Sequence, residues 1–326
     1  MIRGIGSTSE FAPFGVFRME FPPVEDKPSD LGEVQLLTGV NGTGKTRLLS
    51  LMAATLGNSQ LLLKRLKGIE TQIQLTFTDS FPNSVQKQWS RVHASARNWT
   101  LAHNDNFHST TAQLPAFAYS GSVYLTDATI SVMAALTKPS REQCLSFERP
   151  AEQSKQLLQA ITNLKLQAAM DSMNEGPAGA SRARSTRLVK ALESTVGEIT
   201  NSDFHFLLTT YPTISLGVRW GEAALSFDLL PDGLRSIIGW LVHAVVMMDV
   251  YLQGKKDPMD TEAIFLLDEI ESHLHPAWQR KILPAFQHLF PKAQIFVVTH
   301  SPFVIASLNH GWIHRLTRSC LPCWQK

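Results

Sequence analysis

Cysteine is scarce in this chain. Cys144, Cys320 and Cys323 are the only three among 326 residues, too few for a disulfide framework and suited to a reducing compartment. Charge of one sign is equally thin. Thirty Lys and Arg face 28 Asp and Glu, a net charge of +2, so bulk basicity does not mark the chain as a nucleic-acid binder. Apolar residues make up 44% and charged ones 18%, which excludes a disordered, collagenous or disulfide-scaffold chain. The N-terminus, Met1-Ile-Arg-Gly-Ile-Gly-Ser, lacks the apolar core of a secretory leader, and a cytoplasmic location is the expectation. One stretch, 236–254, has the length of a membrane span, but His243 and Asp249 interrupt it. A helix buried in a large α/β core fits it better, so no membrane partner is expected.

What is present reads as strands and helices in alternation. Alternating residues around Phe11–Phe21, bounded by prolines, suggest one or two edge strands. Val34–Thr38 is an apolar run, followed by a glycine-rich turn and a helical pattern over Thr46–Leu56. Ile73–Phe77 and Ala116–Tyr124 read as strands; the polar stretch 79–112 reads as loop with some helix. Helical spacing returns over Glu152–Met173 and Thr186–Ile199, with a Gly/Pro/Ser hinge at Asn174–Ser185 between them. Phe204–Leu208, Thr213–Trp220 and Ala223–Leu229 read as strands. After the long apolar helix come buried-strand runs at Ala263–Leu267 and Gln294–Val298, flanking a helix at Pro276–Leu289. Short apolar strands alternating with helices predict a mainly parallel sheet covered on both faces. The expected division is 1–124 and 204–326 as two halves of an α/β body, with 125–203 as an inserted helical lobe.

Three motifs carry chemistry. Gly39-Val40-Asn41-Gly42-Thr43-Gly44-Lys45-Thr46 fits GxxxxGK(S/T) between a predicted strand and a predicted helix. Its glycines let successive backbone N–H groups converge on phosphate oxygens, and the helix N-terminus adds a favourable dipole. Lys45 is placed to reach the β- and γ-phosphates of ATP, and Thr46 to ligate Mg²⁺. Ala263–Leu267 ends in Asp268 and Glu269, carboxylates at the carboxyl end of a buried strand. Asp268 suits Mg²⁺, and Glu269 suits orienting or deprotonating water. Gln294–Val298 leads to Thr299-His300-Ser301-Pro302, with His300 positioned to hydrogen-bond a γ-phosphate. His310, His314, Cys320 and Cys323 have a spacing that admits zinc, but reduced, unliganded residues are the better reading.

In this order, the three elements resemble the soluble branch of the ATP-binding cassette superfamily, which includes SMC-type heads and AAA-type ATPases of the OLD and Septu kinds. The run Asp268-Glu269-Ile270-Glu271-Ser272-His273-Leu274-His275-Pro276 is similar to the Walker B and D-loop of that last group. Thr299–Phe303 is similar to its switch histidine. The resemblance implies an ABC-ATPase head: a P-loop core sheet flanked by helices, N-terminal antiparallel strands and an inserted helical lobe. It also implies a signature segment that caps ATP bound by a second subunit. Leu230-Pro231-Asp232-Gly233 stands in that place, with Pro231 replacing the usual serine and Asp232 a glycine; Pro231, Asp232 and Gly233 are the candidate ATP contacts. No Q-loop residue is assigned, although Gln113 precedes a candidate strand.

The function expected is an Mg²⁺-dependent ATPase. It would form a homodimer or higher homo-oligomer around ATP and gate an effector such as a nuclease encoded nearby, in antiphage defence. The little chain beyond His300 leaves no room for the Toprim nuclease of OLD proteins, so destructive chemistry is expected from a partner. Two alternatives stay open. One is a non-hydrolysing ATP sensor or scaffold. The other is a DNA-repair ATPase that contacts nucleic acid through Arg182, Arg184, Arg187 and Lys190, which read otherwise as a solvated basic face.

Overall fold

A computed structural model describes residues 1–7, 15–58, 72–77, 89–94, 99–102, 114–121, 136, 138–147, 152–173, 179–209, 211, 214–317 and 323–325. The chain begins with strands β1 (Ile2–Ser7), β2 (Arg18–Glu20) and β3 (Glu33–Thr38), then helix α1 (Lys45–Thr55). Strands β4 (Gln72–Phe77), β5 (Trp89–Ala94), β6 (Trp99–Ala102) and β7 (Ala116–Ser120) follow. Next come helices α2 (Arg141–Cys144), α3 (Glu152–Met173) and α4 (Gly179–Thr200), then β8 (Phe204–Thr209), β9 (Ser215–Trp220) and β10 (Ala223–Leu225). The last part holds α5 (Asp232–Leu252), β11 (Ala263–Asp268), α6 (Pro276–Leu289), β12 (Ala293–Val298), α7 (Pro302–Ala306), β13 (Trp312–Arg315) and β14 (Cys323–Gln325).

The central sheet has the order β14-β13-β3-β12-β11-β7, parallel except for β14 at one edge. Its strands β3, β11 and β12 are almost wholly buried, which is why they read as mainly apolar runs, interrupted only by Glu33, Gln35 and Gln294 near the amino-terminal end and by Thr38 and Asp268 at the carboxyl end. Alternate residues serve opposite faces. Phe265, Leu267, Ile295 and Val297 join one cluster with α3, α4, α5 and α6. Ile264, Leu266, Phe296 and Val298 join another with α1 and the antiparallel sheet β2-β1-β4-β5-β6. The molecule is therefore layered, with the parallel sheet in the middle.

Helix α5 is long and apolar enough to cross a membrane, yet 78% of its apolar window is buried inside the molecule. Trp240 packs edge-on against Phe286 of α6 at 4.9 Å between ring centres, and His243 edge-on against Tyr119 of β7. The helices α3 and α4, 22 residues each, form the expected hairpin. At about 1.5 Å per residue each is about 33 Å long. Two of the basic side chains on α4 are paired: half-buried Arg184 with Asp249 of α5, and exposed Arg187 with Asp257.

Several boundaries differ from the sequence expectation. Within 79–112, β5 and β6 extend the antiparallel sheet from β4. Polar strands of this kind draw their stability from the neighbouring strand's ladder, which local periodicity does not show. The other parts of that stretch lie outside the described residues, as do Gln113, residues 8–14 and Cys320. Helix α4 starts at Gly179, so the expected hinge narrows: Ala180-Ser-Arg-Ala-Arg has good helix propensity and joins the helix. After β10, 227–229 form a 3₁₀ turn with Phe227 buried, because Pro231 forces Leu230 into an extended conformation before α5.

A buried polar chain crosses the amino-terminal side of the sheet. Arg3 pairs with Glu33, whose Oε1 accepts from Gln35 at 3.1 Å and Gln294 at 2.9 Å. Gln294 also bonds the Ile2 carbonyl at 2.8 Å. On β13, fully buried His314 donates from Nε2 to Gln35 Oε1 at 2.7 Å, so it is a core residue of the sheet rather than a surface metal ligand.

Burial lowers the His314 pKa from 6.5 to about 4. As the pH falls through this window, the unfolded chain takes up a proton that the folded chain refuses. Stability is thus complete above the unfolded value and declines toward the folded one, by up to about 3 kcal/mol. His314→Gln, which keeps a donor to Gln35, is expected to flatten the fall in melting temperature between pH 6.5 and 4.5 relative to the parent. Thermal denaturation across that range checks it; parallel curves would contradict it.

Candidate functional site

The carboxyl ends of β3, β11 and β12 lie side by side, because Val298 pairs with Leu37 and Asp268 with Val298. The loops leaving these three ends form the site, as is general at the carboxyl edge of parallel sheets. From β3 the chain runs through Gly39–Gly44 into α1. Gly44 caps α1 with φ of +90°, a left-handed conformation that glycine adopts without a Cβ clash. Asn41 and Gly42 are exposed, Thr43 is buried and hydrogen-bonds the Val40 carbonyl at 2.9 Å, and Thr46 opens the helix.

Lys45 turns back over this loop. Its Nζ donates to the carbonyls of Gly39 at 2.8 Å and Val40 at 3.1 Å. Burial lowers its pKa, opposed by the carboxylates of Asp268 and Glu269. Next to it, in the first turn of α1, the Thr46 hydroxyl donates to Asp268 Oδ1 at 3.0 Å. A threonine hydroxyl beside a carboxylate is an oxygen donor pair of the kind that a hard divalent cation takes. Among the described residues no group of three or more His, Cys, Asp or Glu forms a cation site, so a metal here would draw on this pair and on phosphate.

Glu269 follows Asp268 directly and is exposed at the edge of the sheet. Its φ is +52°, a conformation that costs a non-glycine residue about 1–3 kcal/mol and recurs at functional sites. Two contacts hold it there. Its N–H donates to the Val298 carbonyl at 2.9 Å, and its carbonyl abuts Gly121, where an added Cβ would come within 1.9 Å. His300 is likewise exposed, on the loop leaving β12. Lys45, Thr46, Asp268, Glu269 and His300 are therefore gathered on one edge.

Pro231, Asp232 and Gly233 are held elsewhere. Pro231 caps α5, and the Gly233 backbone lies against the His273 carbonyl and the Trp278 ring. The candidate signature thus rests on the D-loop of its own chain. Arg235, one turn into α5, pairs with Asp232, which tempers the anion at that helix N-terminus. Sequence reasoning gave Arg235 no role, although its spacing from Asp232 is a helical i,i+3 pair. It likewise gave none to Glu271, whose carboxylate binds the loop of His300. His275 is a helix cap, with Nδ1 accepting from the Ala277 amide at 3.3 Å and Pro276 at the first helical position.

Comparison with known proteins finds likeness in sequence and in fold. Residues 154–306 match the family model described as AAA domain, putative AbiEii toxin, Type IV TA system. The chain is 30% identical over 117 residues to the Septu protein PtuA of Bacillus thuringiensis, covering 34% of this chain and 29% of that protein. It is 31% identical over 96 residues to the Retron Ec83 probable ATPase of Escherichia coli, covering 29% of this chain and 18% of that protein. The matched part thus spans less than a third of either relative. Among solved structures, the SMC head bound to the C-winged helix domain of ScpA superposes with a TM-score of 0.54 at 12% identity, over 96% of this chain and 93% of that one. The SMC head domain from Thermotoga maritima gives 0.51 at 12% identity, over 97% and 94%. Residues 154–306 are thus similar to that AAA family, the chain is similar to parts of the Septu and retron proteins, and its fold is that of the SMC heads.

Proposed function

We propose that this protein binds and hydrolyses ATP, closing as a homodimer or higher homo-oligomer around the nucleotide to gate a partner effector in antiphage defence. One observation carries the reading: Lys45, Thr46 and Asp268 converge at one sheet edge, with Thr46 hydrogen-bonded to Asp268 at 3.0 Å. The backbone N–H groups of Asn41–Lys45 and the N-terminus of α1 would receive the phosphates. Lys45 would exchange its loop carbonyls for the β- and γ-phosphate oxygens. Thr46 and Asp268 would hold Mg²⁺, which supplies charge neutralisation at the bridging phosphates. Glu269 would orient water and accept its proton, and His300 would hydrogen-bond the terminal phosphate. Pro231–Gly233 and the N-terminus of α5 would cap the nucleotide of the second subunit.

The names of the relatives, Septu and retron proteins, support the defence role. Residues 1–124 and 204–326 serve as the two halves of the ATPase body, and 125–203 as its lobe. A sensor that binds ATP without turning it over is favoured by one observation: Pro231 offers α5 no side-chain cap, so the hydroxyl of the usual signature is missing. The DNA-repair reading is weakened by the carboxylate partners of Arg184 and Arg187.

Lys45→Ala is expected to abolish ATP binding measured by calorimetry; retained affinity would refute the site. Glu269→Gln is expected to trap Mg-ATP and to show a dimeric or larger solution mass with ATP but not with ADP. The same mass with both nucleotides would refute assembly around ATP, and turnover equal to the parent would remove Glu269 from catalysis.

A further inference from the structure

We infer that Glu271 is a positioning residue that presets His300 against Glu269, an inference that rests on the reading of His300 as the group that meets the terminal phosphate. Glu271 lies on the loop after β11, and His300 on the loop after β12. One carboxylate oxygen joins them. Glu271 Oε1 accepts the Thr299 hydroxyl at 2.6 Å, the His300 N–H at 2.8 Å and the Ser301 N–H at 3.2 Å.

Three donors on one ionised oxygen make a strong clamp, since hydrogen bonds to a charged acceptor are about twice as strong as neutral ones. The His300 ring itself is exposed, and among the described residues it makes no hydrogen bond or ion pair. The point from which the ring leaves the chain is set by the backbone, and that backbone is held by Glu271. The other oxygen of the carboxylate, Oε2, is buried with no hydrogen-bond partner among the described residues. A buried acceptor left in this state is costly, so the carboxylate is retained there against a penalty that packing alone does not explain.

The clamp extends to the next helices. Gln279 of α6 donates to the Leu274 carbonyl at 2.9 Å, and its Oε1 accepts the Ser301 hydroxyl at 2.5 Å. Ser301 also caps α7, accepting from the Phe303 and Val304 amides. At the other end of the same loop, the Glu269 N–H is tied to the Val298 carbonyl. Glu269 and His300 thus belong to one hydrogen-bonded unit whose link is Glu271.

The test compares the full chain with Glu271→Ala, Glu271→Gln, His300→Ala and the double variant Glu271→Ala/His300→Ala. Hydrogen exchange without nucleotide reads the clamp directly. Glu271→Ala should speed exchange of the 299–304 amides and leave β12 protected. ATP affinity should stay near the parent value, while kcat falls about tenfold to a hundredfold, the cost of misplacing a reacting group by about 1 Å. The double variant should be no slower than His300→Ala alone. Glu271→Gln, which keeps Oε1 as an acceptor, should recover most of the turnover. Unchanged exchange, an additive loss in the double variant, or a Gln variant as impaired as Ala would each overturn the inference. If Glu271→Ala does not fold, the exchange and kcat of Glu271→Gln decide. A parent protein with no turnover would refute the proposed hydrolysis alone, because the exchange comparison still decides whether Glu271 holds the loop.

Discussion

The parallel, in-register pairing of β3, β12 and β11 is the constraint from which the site follows. Each strand sends its chain out at the same edge, so three loops far apart in sequence meet within hydrogen-bonding distance. Thr46 reaches Asp268 across 222 residues of chain because Leu37, Val298 and Asp268 lie in one row. A slip of one residue in either pairing would turn the apolar set of a strand to the opposite layer and separate these loops.

That register is held by burial on both faces. Strand β11 divides its side chains between two clusters, with Phe265 and Leu267 facing the helices and Ile264 and Leu266 facing α1 and the antiparallel sheet. The fully buried aromatic group around Phe265, with Phe286 at 5.0 Å and Phe290 at 4.7 Å between ring centres, fixes α6 against the sheet. Aromatic pairs in such offset and edge-on arrangements add about 0.5–1.5 kcal/mol beyond their burial. The same helix carries Gln279, so packing on the inner face and hydrogen bonding at the site edge share one rigid element. The buried polar chain from Arg3 to His314 adds specificity of register at the opposite edge, since its members meet only when β1, β3, β12 and β13 are aligned.

Much of this was legible in the sequence where local rules suffice. The glycine-rich loop, the two carboxylates after Leu267 and the histidine after Val298 were legible because strand–loop–helix geometry dictates what those residue types can do. The helical hairpin and α6 were legible from their apolar spacing. Strands β5 and β6 were not, because their pairing with β4 is non-local. The short 3₁₀ turn and the early start of α4 were missed because proline geometry and helix propensity compete with the turn signals of Gly, Pro and Ser. The basic cluster on α4 read as a free face because its carboxylate partners, Asp249 and Asp257, lie on a segment more than 50 residues away.

Sequence alone determined the chemistry available at each strand end: a glycine-rich loop with Lys45 and Thr46, paired acids at Asp268 and Glu269, and an imidazole at His300. Spacing within a motif is a local property, and local geometry follows from it. Tertiary structure decided the rest. It placed Pro231–Gly233 against the D-loop of the same chain, neutralised Asp232 with Arg235, and turned Glu271 from one more acid in a motif into the link between two loops. Those relations join residues through space, and a side chain's partner across a fold is set by register and packing, which no single stretch of sequence encodes.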